Sequence, residues 1–297
     1  MNAKFRKRRW KILRGLMFLA VVTMCYLFLY EPSYSGAVQV ADRPLIIAHR
    51  GFGNHGPDNG ISAVRLAIEH QLDGVDLDAQ LTADGELVIF HDATVDRLTD
   101  GSGAIEDLTL EELKRFDMGS TFDPKYAGEQ IVTFGELLDE VDGKIRVIVE
   151  IKSGGVADEG LERIAVDEIR KRDAYDYVIL SSFNPFVLYR IKKLDPDVMT
   201  MFIFRDIEPY DPTQYRNIPF FLKNETFRRA IRKLVAPDLL SIETTVAPKT
   251  FERLHARGYP IFLWVPNDGR SLKDSLAREP YGVITDEPLL ALEVTRN

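Results

Sequence analysis

The sequence predicts an α/β protein: a (β/α)₈ barrel with a β-hairpin arm and an insertion after its second strand, preceded by an N-terminal transmembrane helix. Three observations carry this expectation. Eight short apolar segments alternate with amphipathic ones across residues 41–297. One further apolar segment follows its neighbour too closely for a parallel crossover. An uncharged apolar run sits directly behind a basic N-terminus. Apolar strands alternating with helical patterns argue for βαβ units and a parallel sheet. Eight such units in about 250 residues fit a closed barrel better than an open doubly wound sheet.

Lys4, Arg6, Lys7, Arg8, Arg9, Lys11 and Arg14 crowd the first 14 residues, and Gly15 to Tyr30 carries no charge. Sixteen helical residues span about 24 Å against a hydrocarbon core of about 30 Å. Trp10, Ile12 and Leu13 extend the run, with Lys11 and Arg14 snorkelling to the headgroups. The reading is a basic cytoplasmic segment (1–14), a transmembrane anchor (15–30), a linker (31–40) and a catalytic barrel (41–297). The positive-inside rule then puts the barrel on the far side of the membrane. The rival is a signal peptide, since Ser33 and Ser35 have the spacing of a cleavage site; the protein would then be secreted.

Beyond this segment the strands read LIIAH (45–49), GVDLDA (74–79), RVIVEIK (146–152), YVILSSF (177–183), VMTMFIF (198–204), LLSIET (239–244), PIFLWVP (260–266) and GVITD (282–286). ELVIFHD (86–92) is the exception. Only TADG separates it from GVDLDAQL, so the pair must be an antiparallel hairpin that brings His91 near the carboxyl end of the second strand. Residues 93–145 form an insertion with helix signals in LTLEELKRF and TFGELLDEV, the latter opened by a capping box from Thr133 to Glu136.

Composition narrows the function. At 45% hydrophobic and 28% charged residues, with 20 Gly and 15 Pro, the chain is ordinary for a globular protein. The basic tail aside, 31 basic residues face 46 acidic ones, a net of −15, which argues against nucleic-acid binding. A single cysteine, Cys25, excludes an internal disulfide and a Cys-rich zinc site.

Barrel enzymes place their chemistry at the carboxyl ends of the strands. There stand His49 and Arg50, Asp76 and Asp78, Glu150 and Lys152, Ser182 and Phe183, Glu243, Trp264 and Asp286. Asp76 and Asp78 share one strand face, as do Glu150 and Lys152. Three carboxylates at one mouth suit a hard divalent cation such as Mg²⁺ or Ca²⁺. His49 and His91 each end an apolar strand and can supply a general base and a general acid; His55, His70 and His255 fall outside the site. Phe183 and Trp264 are candidates for the substrate pocket.

AHRG (48–51), PDN (57–59), DLD (76–78), TADGELVIFHD (82–92), VEIK (149–152), SSF (181–183), FLWVPND (262–268) and GVITDEP (282–288) together resemble the ordered motifs of the glycerophosphodiester phosphodiesterase family. The resemblance implies a TIM barrel with a hairpin-like arm and a metal-dependent hydrolysis of glycerophosphodiesters to sn-glycerol 3-phosphate and an alcohol. Carried over by motif, His49 and His91 are the acid/base pair, and Asp76, Asp78 and Glu150 the ligands of one divalent cation. Arg50 and Lys152 would contact the phosphate. Two positions depart from the pattern: Asp58 and Asp76 stand where the family has Glu. The shorter ligand at 76 favours Ca²⁺, which tolerates irregular oxygen shells, while family precedent leaves Mg²⁺ open. Two alternatives stay beside this reading, a lysophospholipase D acting on membrane lysolipids and an inactive barrel that binds a ligand or partner.

Aromatic and basic residues interleave from Tyr210 to Lys233. In its helical part Phe227, Ile231, Leu234 and Val235 form one face, expected to pack on the barrel, with the basic residues largely opposite. The other reading makes this segment a membrane-facing surface. Asn224-Glu225-Thr226 is also a glycosylation sequon.

Overall fold

The computed structural model describes residues 3–296, apart from 32, 37, 39–41, 154, 156–159 and 206–223. The expectations for Tyr210, Tyr215, Arg216, Phe220, Phe221 and Lys223 lie outside the described residues. The chain opens with helix α1 (Ala3–Leu29), whose stretch Arg9–Leu29 is long and apolar enough to cross a membrane and is not buried against the rest of the protein.

Eight parallel strands then close a barrel: β1 (Leu45–His49), β2 (Gly74–Leu81), β4 (Arg146–Ile151), β5 (Val178–Ser182), β6 (Met199–Phe204), β7 (Leu239–Glu243), β8 (Ile261–Trp264) and β9 (Gly282–Thr285). Closure is explicit, since β1 pairs with β9 on one side and β2 on the other. Helices α2 (Ile61–Glu69), α4 (Phe134–Val141), α5 (Leu161–Arg172), α6 (Pro185–Leu194), α7 (Glu225–Val235), α8 (Pro248–His255), α9 (Gly269–Leu276) and α10 (Pro288–Arg296) complete the units.

The predicted arm is present. Strand β3 (Leu87–Ile89) runs antiparallel to β2, Ala79 opposite Ile89. Phe90 N donates to Asp78 O at 2.8 Å, and Gln80 Nε2 donates to the carbonyls of Phe90 and Asp92, both at 2.8 Å. The insertion buries a small core of its own around Phe90, Val95, Ile105, Leu113, Met118 and Ile131. LTLEELKRF yields only a single turn, α3 (Leu110–Leu113), whereas α4 starts at Thr133 with the expected capping box.

Side chains alternate along each strand, and this decides what lines the barrel. Leu45, Ile47, Ile148, Ile179, Met201, Leu239, Phe262 and Ile284 form the interior layer. On β2, Val75, Leu77 and Ala79 belong to the outer core under the helices. Gly74, Asp76 and Asp78 therefore face inward, and by the same alternation so do His49, Glu150, Ser181, Glu243 and Trp264. The apolar layer is capped by a polar one at the carboxyl end.

The segment α7 departs from expectation. Arg228 and Arg232 are its buried residues together with Ala230 and Val235, while Phe227 and Leu234 are exposed. Arg228 lies 4.6 Å from the Phe204 ring centroid, and Glu225 of the same helix, with Glu31 added at Arg232, makes burial of both guanidiniums tolerable.

Candidate active site

Strand register brings the polar layer together. His49 lies opposite Asp76, Asp78 opposite Glu150, and Glu150 opposite Ser181. Each histidine is then gripped at Nδ1 by a carboxylate. His49 Nδ1 meets Asp286 Oδ1 at 2.6 Å and His91 Nδ1 meets Asp92 Oδ1 at 2.6 Å. An ionised carboxylate only accepts, so in both cases the ring nitrogen donates and Nε2 is left for other partners.

Asp286 is itself fixed by Asn267, whose Nδ2 donates to Oδ2 at 2.5 Å. Its position follows from barrel closure, because β9 is the neighbour of β1. Gly53, at φ 57°, seals that seam, and a Cβ there would lie 2.1 Å from the Asp286 carbonyl oxygen. Burial opposes charging His49, yet the Asp286 hydrogen bond and the nearby Asp76 outweigh it and raise its pKa. Burial also opposes ionisation of Asp286, but the hydrogen bond from His49 wins and lowers its pKa.

His91 belongs to a closed ring of contacts. Arg50 Nη2 donates to His91 Nε2 at 2.9 Å and Arg50 Nη1 to Asp58 Oδ2 at 3.0 Å. Arg97 Nε donates to Asp92 Oδ2 at 2.6 Å, and its Nη2 reaches Asp58 Oδ2 at 3.4 Å. Despite burial, His91 and Arg97 hold Asp92 well below the usual carboxylate range. Arg50 adopts a left-handed backbone (φ 52°), a conformation that costs energy in a non-glycine residue and turns its guanidinium into the site. Its Nε is buried without a hydrogen-bond partner. Asp58 thus serves as the ion-pair partner of Arg50 and Arg97, so its shortening relative to the family's Glu bears on where Arg50 sits. Beside it opens a cavity of about 210 Å³ lined by Pro57, Asp58, Arg97, Leu98, Met118, Thr121 and Phe122.

The three expected metal ligands, Asp76, Asp78 and Glu150, lie side by side on β2 and β4 with Lys152 next to them. Among the described residues no group of three or more His, Cys, Asp or Glu side chains surrounds a common point. Lys152 stands between two of them, with Nζ 3.0 Å from Asp78 Oδ1 and 3.7 Å from Glu150 Oε2. The lysine, expected at the phosphate, supplies the positive charge that buried carboxylates require. It keeps Asp78 low in spite of burial, with Asn59 also clamped to it through Nδ2–Oδ2 (3.1 Å) and N–Oδ1 (2.8 Å) hydrogen bonds. Glu150 is raised by burial. Asp76 is pushed up to about 8, by burial and by the charges of Asp78 and Glu150. Three carboxylates with one lysine among them leave an excess of negative charge, and this all-oxygen donor set fits a hard divalent cation.

Phe183 and Trp264 do meet, edge to face with ring centroids 5.7 Å apart. Trp264 Nε1 is buried with no hydrogen-bond partner among the described residues. Asp92, Arg97, Asn59 and Asn267 were not singled out from the sequence, and Asp286 was recognised only as a strand end.

A family model described as the Glycerophosphoryl diester phosphodiesterase family matches residues 49–290. The chain is 34% identical over 257 residues to a glycerophosphodiester phosphodiesterase of Caldanaerobacter subterraneus subsp. tengcongensis, covering 86% of this chain and 98% of that one. It is 28% identical over 297 residues to glycerophosphodiester phosphodiesterase 1 of Homo sapiens, covering 93% and 87%. The fold is similar to that of an Oleispira antarctica phosphodiesterase solved in complex with the product sn-glycerol-3-phosphate. The TM-score is 0.71, at 24% identity, over 86% of this chain and 98% of that one.

Proposed function

Because the chain belongs to the glycerophosphoryl diester phosphodiesterase family, we propose that it hydrolyses glycerophosphodiesters to glycerol 3-phosphate and an alcohol at the mouth of its barrel. The observation that carries this reading is a pair of imidazoles, each held at Nδ1 by a carboxylate and each in a different setting at Nε2. Arg50 donates to Nε2 of His91, which therefore bears a lone pair and suits a general base. His49 is drawn towards its charged form and suits a general acid.

His91 takes the proton of the attacking hydroxyl as its oxygen bonds to phosphorus. The bond from phosphorus to the alcohol oxygen breaks, and His49 gives that oxygen a proton. Asp92 and Asp286 hold the two rings in these tautomers, and the Arg50 guanidinium turns from His91 to the phosphate. Asp76, Asp78 and Glu150 would hold one divalent cation, Ca²⁺ or Mg²⁺, whose charge when bound neutralises phosphoryl oxygens. The product found in the Oleispira relative supports glycerol 3-phosphate as the product here.

A second reading, a lysophospholipase D, draws on the cavity beside Asp58, because Leu98, Met118 and Phe122 give it apolar walls. The helix α1 is read as a single membrane span, with residues 1–14 in the cytoplasm and the barrel outside it. The test uses the full chain in detergent micelles, with glycerophosphocholine and lysophosphatidylcholine side by side, with and without EDTA. Release of glycerol 3-phosphate is expected from the first. His49→Ala and His91→Ala should each lose at least about 10²-fold in rate. Activity within a few-fold of the parent in both variants would overturn the assignment.

A further inference from the structure

The junction between α1 and α7 is built like part of a protein core. An α-helix leaves its last four carbonyls without partners, and α1 has no basic residue of its own in the last turn. The donors come from α7. Lys233 Nζ donates to Tyr26 O at 2.6 Å and Leu27 O at 2.7 Å, while Arg229 Nη1 donates to Phe28 O and Leu29 O, both at 3.0 Å. Positive charge at a helix C-terminus is favoured by the helix dipole. The Phe28 ring meets Phe227 edge-on, with centroids 5.4 Å apart.

Two residues past the helix, Glu31 is buried under three arginines. Arg232 Nη2 reaches it at 2.6 Å, Arg229 Nε at 3.1 Å and Arg253 Nε at 3.7 Å. Glu225 pairs with Arg228, Arg232 and Arg253 from the other side. The Arg232 side chain is wholly buried. Cleavage at the small residues Ser33 and Ser35 would remove Glu31 and all four carbonyls at once. Among the described residues the buried Arg232 would then keep only Glu225 as acidic partner, a costly outcome when one partner of a buried pair is taken away.

We propose that α1 is retained in the working protein and that α7 locks its end, which sets the outer face of α7, with Phe227 and Leu234, against the lipid surface. The inference rests on reading α1 as a membrane span. The apolar stretch ends at Leu29, so the hydrocarbon boundary lies where α7 touches the chain. Tyr26 and Tyr30 stack there, 5.6 Å apart, beneath the Lys233 ammonium, the mixture of aromatic and cationic groups that suits the headgroup layer. Leu234 and Phe227 are exposed at the same level. The barrel is thereby fixed in one attitude to the bilayer instead of swinging on a tether.

The test uses the full chain in membranes. Mass spectrometry of the mature protein reads its N-terminus. A Phe28→Cys/Phe227→Cys pair in a Cys25→Ser background is oxidised in place, with Phe28→Cys/Phe122→Cys as control. The expected result is an intact N-terminus and a disulfide-joined peptide in the first pair alone. A mature chain that starts beyond residue 30 overturns both the membrane reading and the inference. An intact chain that resists carbonate extraction but gives no joined peptide overturns only the locking. Leu234→Cys in the same Cys25→Ser background, carrying an environment-sensitive fluorophore, is then reconstituted with lipid bearing a spin-label quencher near the headgroup. Most of its fluorescence should be lost, against little loss at Glu111→Cys. Equal behaviour at the two positions overturns the placement on lipid.

Discussion

The mouth of the barrel and the junction between α1 and α7 are both crowded with buried charge, and they differ in sign. At the mouth Asp76, Asp78 and Glu150 share one lysine, Lys152. At the junction Arg228, Arg229, Arg232, Lys233 and Arg253 face Glu31 and Glu225. An excess of one sign in a buried place is stable only if something of the other sign completes it. At the junction the completing partner is the carbonyl end of α1. At the mouth, among the described residues, the three carboxyl groups have Lys152 as their shared cation, which leaves room for a bound cation to complete them.

Removing charge should therefore have opposite consequences in the two regions. Glu150→Gln almost preserves volume but lowers the negative excess at the mouth. It should cost about 3 kcal/mol or more of transition-state stabilisation, at least roughly 10²-fold in EDTA-sensitive rate, with melting temperature little changed. Glu31→Gln should do the reverse: a loss of about 3–5 kcal/mol in stability, read by denaturant unfolding in micelles, with kcat near that of the parent. If each variant hit both properties equally, the contrast between a site and a joint would fail.

Smaller perturbations sharpen the picture at the mouth. Asp286→Asn leaves His49 in place but removes the negative charge behind the hydrogen bond that raises its pKa. A loss of about tenfold in kcat is expected, together with a downward shift of the alkaline limb of the pH–rate profile. An unchanged limb would mean that His49 is not the acid. Asp76 gives the mildest effect. Because the folded, metal-free chain keeps a proton on it up to about 8 while an unfolded one releases it near about 3.9, the metal-free protein loses stability as pH rises between those values. A cation must displace that proton, so its affinity should climb with pH, by at most about tenfold per unit, and level off above about 8. Calorimetry at neutral pH in two buffers of different ionisation enthalpy would count the proton released.

What could be read from the amino-acid order followed the range of the interaction. The strands, the antiparallel arm and the capping box of α4 are local patterns, and all are present. His49 and His91 were visible because each ends an apolar strand. The partner of His91 was also in plain view, as the next residue. Asp286, the partner of His49, is 237 positions away; only barrel closure, which makes the last strand the neighbour of the first, points to it. The helix α7 misled for the same reason. Periodicity alone puts Phe227 and Leu234 on an inward face, whereas the partners that bury Arg232, Phe204 beneath it and Glu31 some 201 residues earlier, leave no trace in the local pattern.

The seam at Gly53 and Asp286 has a consequence in time. A ribosome delivers this chain from its first residue to its last, and the carboxylate that orients His49 arrives only with the final strand. Until β9 slots between β8 and β1, the barrel is an open sheet with one of its two histidines unbraced. An incomplete barrel thus carries half of the proposed acid–base pair in its braced form. Only the closed ring has the other half, so catalytic competence doubles as a report that the barrel has closed.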